Sequence, residues 1–417
     1  MKKLGFWSIV LLAINSIIGS GIFLSPGSVI SMVGNKAPIV YCLAAAFAII
    51  LSITFASAAK YVSKSGAAYA YTKSAFGDNW GFYVGITRFV AGAIAWGVMA
   101  TGVVKSVLSI IGMDSNNFVL ITFGFLLLMI ILFFINIGGP TLFKIINNLS
   151  TIGKLLALLT TICVGIAIAS QMHTNNFAGI NLLVNSSGQP LVPKTTISIL
   201  VMAVIAAFYA FTGFESVASG AEDMENPEKN LPRAIPLAIL IIAIIYIGII
   251  VVSMMINPRA LIETNEVVAL TAVFENPIIR NIILYGALIS MFGINVAASF
   301  HTPRILEAMA KDKQISSWFN KRTSNNFPLR AFMITIIIAI VAPMTFKYNM
   351  TNIIILSSIS RFIQFLIVPL AVMSFYYGKN VGDILKNVKK NFYTDVLIPI
   401  FSLILTLLLL IKFDWVG

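Results

Sequence analysis

The fold of this chain is decided by the stretch Ile18-Gly19-Ser20-Gly21-Ile22-Phe23, which interrupts the first long apolar run. A second interruption, Phe211-Thr212-Gly213-Phe214-Glu215, lies in the sixth apolar run. A helix in lipid has to satisfy its own backbone hydrogen bonds, so broken helices are tolerated only where they are buried in protein or line a cavity. The two stretches therefore predict two broken membrane helices with a site between them.

The composition of the chain indicates a membrane protein. Of its 417 residues, 59% are hydrophobic and 10% are charged, whereas soluble domains carry about 25% charged residues. So few charges cannot cover a surface that faces water, and the lipid bilayer is the predicted partner of most of this surface. The net charge of +13 is spread between apolar runs rather than over a soluble basic face. Nucleic acid is therefore not a predicted partner.

Eleven apolar runs are long enough to cross a membrane, which takes about 20 residues. They lie at 6–33, 37–60, 80–110, 117–137, 145–170, 195–219, 233–256, 279–309, 329–346, 350–377 and 393–412. The connections between them are too short for an independent domain. The predicted fold class is an all-α integral membrane protein with about 11 transmembrane helices.

Lysine and arginine are distributed unevenly between the two sets of loops. If the N-terminus is cytoplasmic, 18 of the 28 Lys and Arg residues fall in inner loops, six fall in outer loops and four fall inside spans. Inner loops of membrane proteins carry such an excess of positive charge. The pattern predicts a multi-pass protein of the plasma (inner) membrane with a cytoplasmic N-terminus and, after eleven spans, an outer C-terminus.

The two interrupted spans are the first and the sixth, five spans apart. Interruptions at corresponding positions of two halves indicate the substrate site of a secondary transporter. The spacing predicts a five-plus-five inverted repeat, with the first half at 1–170, the second half at 195–377 and an additional span at 393–412.

Broken helices offer backbone groups that suit a zwitterion. The free N–H groups and the positive dipole end of one break attract a carboxylate, and Gly19 and Gly21 let the backbone approach a ligand closely. The free carbonyls of the other break accept hydrogen bonds from an ammonium group. One site could therefore bind both ends of an amino acid. The alternative is that Gly-Ser-Gly only lets two helices pack closely.

Ionisable side chains inside spans are rare and usually functional. Lys154 lies near the middle of the fifth span, where its ammonium group could carry a proton, stand in for a coupling ion or bond to the carbonyls of a broken helix. Glu215 follows the sixth-span interruption and could gate, titrate, bind a cationic side chain or hold unwound backbone. Arg361 could pair with Glu215 or line the pathway, and the role of Arg88 is open.

Metal and cofactor chemistry is not predicted. The two cysteines, Cys42 and Cys163, lie in apolar runs, and the two histidines, His173 and His301, are far apart and without nearby cysteine. Neither a disulfide framework nor a metal site follows from such spacing. The sequence contains no phosphate-binding loop and no catalytic domain, so an enzyme or a non-transporting receptor is disfavoured.

Four segments, taken in order and spacing, resemble those of the amino acid–polyamine–organocation permeases, which share the LeuT-type fold. Residues 18–23 resemble the first-span motif, and residues 65–77 resemble the loop after the second span. Residues 208–235 resemble the sixth span and its following loop, and residues 304–310 resemble the end of the eighth span. The likeness covers nearly the whole chain.

The resemblance implies roles for the interrupted stretches. The substrate carboxylate would bind at residues 19–21, and the amino group would bind the carbonyls of residues 210–212. Lys154 resembles a fifth-span lysine that replaces a sodium site in some members and is linked to proton coupling or exchange, and Glu215 resembles an acidic position of the family. The predicted coupling or gating residues are Lys154 and Glu215, and the predicted substrate-binding residues are Ile18, Gly19, Ser20, Gly21, Ile22, Tyr209, Ala210, Phe211, Thr212 and Gly213.

The chain departs from the resemblance in two places. Most members have twelve spans, whereas eleven are predicted here, so the twelfth is absent either naturally or by truncation. Tyr209 stands where some arginine–agmatine exchangers carry a tryptophan, which argues against that subgroup.

The predicted function is secondary active transport of amino acids by alternating access, either coupled to protons or by exchange. The predicted partners are an amino acid substrate, protons and the bilayer. The alternative is an antiporter of polyamines or cationic amino acids, which predicts acidic residues lining the pocket.

Overall fold

Helices and short connections make up the described chain. The computed structural model describes residues 3–24, 26–172, 176–185, 187–264, 268–348 and 351–412. Over these residues there is no β-strand, only two isolated β-bridges. Residue 350, the predicted first residue of the tenth span, and His173 lie outside the described residues.

Each of the eleven predicted spans corresponds to a helix or to a broken helix. In chain order these are α1 (Phe6–Ile17, then Gly21–Leu24 and Pro26–Val33), α2 (Ala37–Tyr61), α3 (Asp78–Ile110), α4 (Phe118–Ile137), α5 (Pro140–Met172), α6 (Ile197–Tyr209, then the 3-10 segment Phe214–Asp223), α7 (Pro227–Ile256), α8 (Pro277–Lys311), α9 (Leu329–Thr345), α10 (Thr351–Tyr376) and α11 (the π-helical turn Tyr393–Leu397, then Ile398–Lys412). Two short helices, Ala68–Phe76 and Pro258–Glu263, lie in the connections.

The helices have the length and the surface of membrane spans. Among the described residues, eight segments are long and apolar enough to cross a membrane, one of them the combined segment Pro26–Tyr61, and three shorter apolar helices accompany them. Large apolar side chains point outward, among them Phe123, Leu149 and Ile244, as a surface in lipid requires. The prediction of an all-α membrane protein with about 11 helices is confirmed.

The two broken helices lie at the centre of the bundle. The first part of α1 packs against α5, α7 and α8, and the second part of α6 packs against α1 and α8. Around this centre α2 packs along α7, and α8 packs along both α3 and α5. Backbone that leaves the helical path is therefore covered by protein, which removes the cost of exposing its polar groups to lipid.

The break in α1 lies where the sequence predicts it. The helix ends at Ile17, Ile18 is extended with φ −76° and ψ 99°, and the helix resumes at Gly21. In the described part of the chain, the N–H groups of Gly19 and Ser20 form no hydrogen bond. Since unpaired backbone donors are rare in folded proteins, these two are free for a ligand.

The break in α6 depends on one glycine. The helix ends at Tyr209, and the 3-10 segment begins at Phe214 after Gly213, whose φ of +123° favours glycine. A Cβ atom on Gly213 would lie 2.1 Å from the carbonyl oxygen of Ser16. The two broken helices therefore meet at this glycine.

Candidate functional site

A cavity of about 380 Å³ lies between the two breaks. Its walls come from α1, α3, α6, α8 and α10. Its volume is in the range of sites for small molecules. Seven of the ten residues predicted to bind substrate line it: Gly19, Ser20, Gly21, Tyr209, Ala210, Thr212 and Gly213.

Three of the predicted binding residues do not line the cavity. The side chains of Ile18, Ile22 and Phe211 are fully buried among protein atoms. The Phe211 ring packs against that of Tyr246, with ring centroids 5.1 Å apart, and the Tyr246 hydroxyl donates to the carbonyl of Ala210 at 3.1 Å. These residues therefore hold the shape of the breaks from outside the cavity.

Lys154 supports the α1 break from behind. It is fully buried, and its Nζ donates to the carbonyl of Ile18 at 2.5 Å and to that of Ser290 at 3.3 Å. The Ser290 hydroxyl lies 3.0 Å from the Ile18 carbonyl and 2.8 Å from the Gly19 carbonyl. The carbonyls that α1 leaves unpaired on this side are thus bound by α5 and α8, and the Lys154 side chain does not line the cavity.

Glu215 is the centre of a buried ionic cluster. Its Oε1 lies 2.9 Å from Arg361 Nε and 3.9 Å from Arg88 Nη2, and its Oε2 accepts the Gly213 N–H at 2.7 Å. Arg361 Nη1 also donates to Thr212 Oγ1 at 3.0 Å. The pairing of Arg361 with Glu215 is confirmed. The cluster links α3, α6 and α10 beside the α6 break.

Two basic side chains on the cavity wall received no role from the sequence. Arg88 lines the cavity from α3, and His301 lines it from α8 with Nε2 2.7 Å from Ser16 Oγ. In the sequence, the signal that could have identified these two residues was a polar side chain inside an apolar run. The sequence does not fix which face of α3 or α8 turns toward the breaks, because that depends on how distant helices pack.

A second ionic cluster closes the ends of α6 and α8 on the predicted cytoplasmic side. Arg304 Nε lies 2.6 Å from Asp223 Oδ2, Arg322 Nη1 lies 2.7 Å from Asp223 Oδ1, and Arg322 also pairs with Glu307. Burial lowers the pKa of the Arg322 guanidinium, but the hydrogen bond to Glu307 and the charge of Asp223 outweigh it and hold that pKa above its ordinary value. The cluster therefore ties the end of α6 to the end of α8.

Comparison with known proteins identifies the family of this chain. The family model described as amino acid permease matches residues 4–413. The chain belongs to the amino acid permease family. The resemblance found in the motifs is confirmed, and this permease is a multi-pass membrane protein of a transporter family.

Relatives of the permease include transporters with and without a named substrate. An uncharacterized transporter of Mycobacterium tuberculosis is 39% identical over 426 residues, which cover 100% of this chain and 88% of the relative. The serine/threonine exchanger SteT of Bacillus subtilis is 27% identical over 75% of this chain and 69% of its own length. The branched-chain amino acid permease BcaP of the same organism is 26% identical over 77% of this chain and 69% of its own length.

Proposed function

We propose that this permease is a secondary active transporter of amino acids that works by alternating access. The observation that carries the proposal is the pair of helix breaks at one cavity, where the N–H groups of Gly19 and Ser20 have no hydrogen-bond partner among the described residues. Two breaks around a central site are the arrangement by which transporters bind a substrate between moving halves. Membership of the amino acid permease family supports the substrate class.

The two ends of the substrate would bind to backbone atoms. The carboxylate would accept hydrogen bonds from Gly19 and Ser20, where the restarting helix adds the positive end of its dipole. The ammonium group would donate to the carbonyls of residues 210–212 at the other break. Since every amino acid carries these two groups, specificity would depend on the protein side chains that line the rest of the cavity.

Transport would proceed by motion of the halves 1–170 and 195–377 about this site, coupled to protons or by exchange. Lys154 binds the unwound part of α1, and Glu215 holds the N–H of Gly213 in the α6 break. A change in the charge of either group would change the support of one break, which makes both groups suited to coupling or gating. The loop charges support a location in the plasma (inner) membrane with a cytoplasmic N-terminus.

The alternative substrates, polyamines and cationic amino acids, receive less support. They require carboxylates on the wall, and no acidic side chain lines the cavity in the part of the chain that the structure describes. Glu215 is not among the lining residues; its carboxylate pairs with Arg361 and lies near Arg88.

The test is uptake by the purified permease in proteoliposomes. A panel of labelled amino acids is offered with an imposed pH gradient, with an unlabelled amino acid inside, and with neither. We expect at least one amino acid to accumulate or exchange above protein-free liposomes. Absence of uptake and exchange for the whole panel under every condition would overturn the proposal.

A further inference from the structure

The cavity wall carries an imbalance of charge. Arg88 and Arg361 both line the cavity, and among the described residues the carboxylate that they contact is Glu215. Both arginines approach the same oxygen, Oε1, while Oε2 is bound to the Gly213 N–H. Two cations therefore share one carboxylate oxygen, and one positive charge remains uncompensated at the cavity.

No other described carboxylate balances this charge. Glu307 and Asp395 are also buried and Asp223 is partly buried, but all three lie near helix ends, where each is paired with a basic side chain. An unpaired charge inside a membrane protein is expensive. A negatively charged group that enters the cavity would therefore be attracted to the uncompensated arginine charge.

The two guanidinium groups also have hydrogen-bond donors to spare. An arginine carries five N–H donors in a rigid planar fork. Within the described residues, Arg88 donates one hydrogen bond, to Ser216, and Arg361 donates one, to Thr212 at 3.0 Å. Arg88 is only 7% exposed, so it is not a surface arginine solvated by bulk water.

A third polar group on the wall has one ring nitrogen without a hydrogen-bond partner in the described part of the chain. His301 is 3% exposed, its Nε2 contacts Ser16, and its Nδ1 has no hydrogen-bond partner among the described residues. The Nε atom of Arg361 likewise is buried and forms no aligned hydrogen bond, despite its ionic contact with Glu215. Buried polar atoms are normally satisfied, so the cavity wall at Arg361 and His301 is short of hydrogen-bond partners among the described residues.

We propose that the substrate is an amino acid with an anionic side chain, whose second carboxylate binds Arg88 and Arg361. The inference rests on the proposed function, in which the α-carboxylate and the amino group bind the two helix breaks. The side chain then extends toward α3 and α10. A planar carboxylate matches the fork of a guanidinium group, and such charge-assisted hydrogen bonds are stronger than neutral ones.

The sharpest test compares substrates that differ in charge and hardly in shape. Uptake of glutamate is measured against glutamine, and uptake of aspartate against asparagine, in the same proteoliposomes. We expect the acidic member to be preferred by at least about tenfold, the ratio expected from one charge-assisted hydrogen bond. Equal uptake within either pair, or preference for the amides, would overturn the inference but leave the proposed function standing. If no amino acid is taken up or exchanged, the proposed function itself is overturned, and the inference that rests on it falls with it.

The Arg88→Gln variant tests whether Arg88 binds the side-chain carboxylate of the substrate or the part that all amino acids share. We expect the ratio of glutamate uptake to glutamine uptake, at least about tenfold in the wild type, to fall to about one in this variant, because the charge that distinguishes the two substrates is removed. Arg259→Gln, on the surface and away from the cavity, is the matched control. An equal loss of glutamate and glutamine uptake would show that Arg88 serves the common part of the substrate, which contradicts the inference.

A binding measurement on the wild-type chain covers the case in which the variant fails to fold. Thermal unfolding in detergent is followed by intrinsic fluorescence with glutamate, glutamine or neither. A ligand that binds the native state raises the unfolding temperature, and we expect glutamate to raise it more than glutamine does at equal concentration. A larger rise with glutamine would contradict the inference.

Discussion

Lys154 shows how one side chain can serve the backbone of a broken helix. It reaches from α5 to the carbonyl of Ile18, at the residue where α1 stops being helical. In lipid that carbonyl would have no water to bind, so the ammonium group replaces the missing intrahelical donor. The same contact places a titratable group against the α1 half of the proposed site, so the structural and coupling roles considered from the sequence are compatible.

The Lys154→Ala variant should lower amino acid uptake by at least about tenfold, because a hydrogen bond to a charged group is lost at a buried carbonyl. The residual uptake should respond less to an imposed pH gradient than that of the wild type. Uptake into proteoliposomes at several pH gradients measures both effects. Lys144→Ala, a partly exposed lysine of the same helix, is the control. Full pH-dependent transport by the Lys154 variant would remove the coupling role.

At the scale of elements, the bundle depends on the crossing of α1 and α6. Gly213 has a positive φ and lies against the Ser16 carbonyl, so the crossing is made of backbone on backbone. Small residues permit such close contacts between membrane helices. The glycine serves two purposes at once, since it allows both the turn in α6 and the approach of α1.

The Gly213→Ala variant should lose most transport. A Cβ atom would lie 2.1 Å from the Ser16 oxygen, and a side chain in left-handed backbone adds about 1–2 kcal/mol of strain, so one of the two breaks has to move. Uptake in proteoliposomes and the unfolding temperature in detergent measure the effects. Gly102→Ala in α3 is the matched control, because a Cβ atom there meets open space. Equal activity of the two variants would contradict the role given to Gly213.

At the scale of the whole molecule, one of the contacts between α11 and the bundle is made by a buried carboxylate. Asp395 Oδ1 lies 2.7 Å from Lys60 Nζ, and its Oδ2 accepts the Tyr61 hydroxyl at 2.7 Å and the Asn391 N–H at 3.0 Å. Lys60 and Tyr61 lie at the end of α2, so the contact joins the last helix to the second. It lies far along the chain from both breaks.

The Asp395→Asn variant should therefore separate stability from transport. Breaking a buried ion pair costs about 3–5 kcal/mol, so the unfolding temperature in detergent should fall. Uptake measured well below that temperature should remain, since α11 lies outside the two predicted repeats. Asp383→Asn, on the surface, is the control. Loss of uptake by a variant that is still folded would place α11 in the transport mechanism.

The sequence by itself determined the membrane location, the eleven helices and the positions of the two breaks. These are local properties, because the length of an apolar run sets a span and a short glycine-containing stretch sets a break. The span boundaries agree with the helix boundaries to within a few residues in most cases, and seven of ten proposed binding residues line the cavity.

Only the tertiary structure decided which side chains face the cavity and which partners they have. Arg88, Arg361 and His301 come from three different helices, and Lys154 finds its acceptor on α1. Such contacts depend on the rotation and crossing of helices that are distant in the chain, which no local pattern specifies. The net charge of the cavity, and with it the proposed preference for an anionic side chain, therefore became visible only when the helices were assembled.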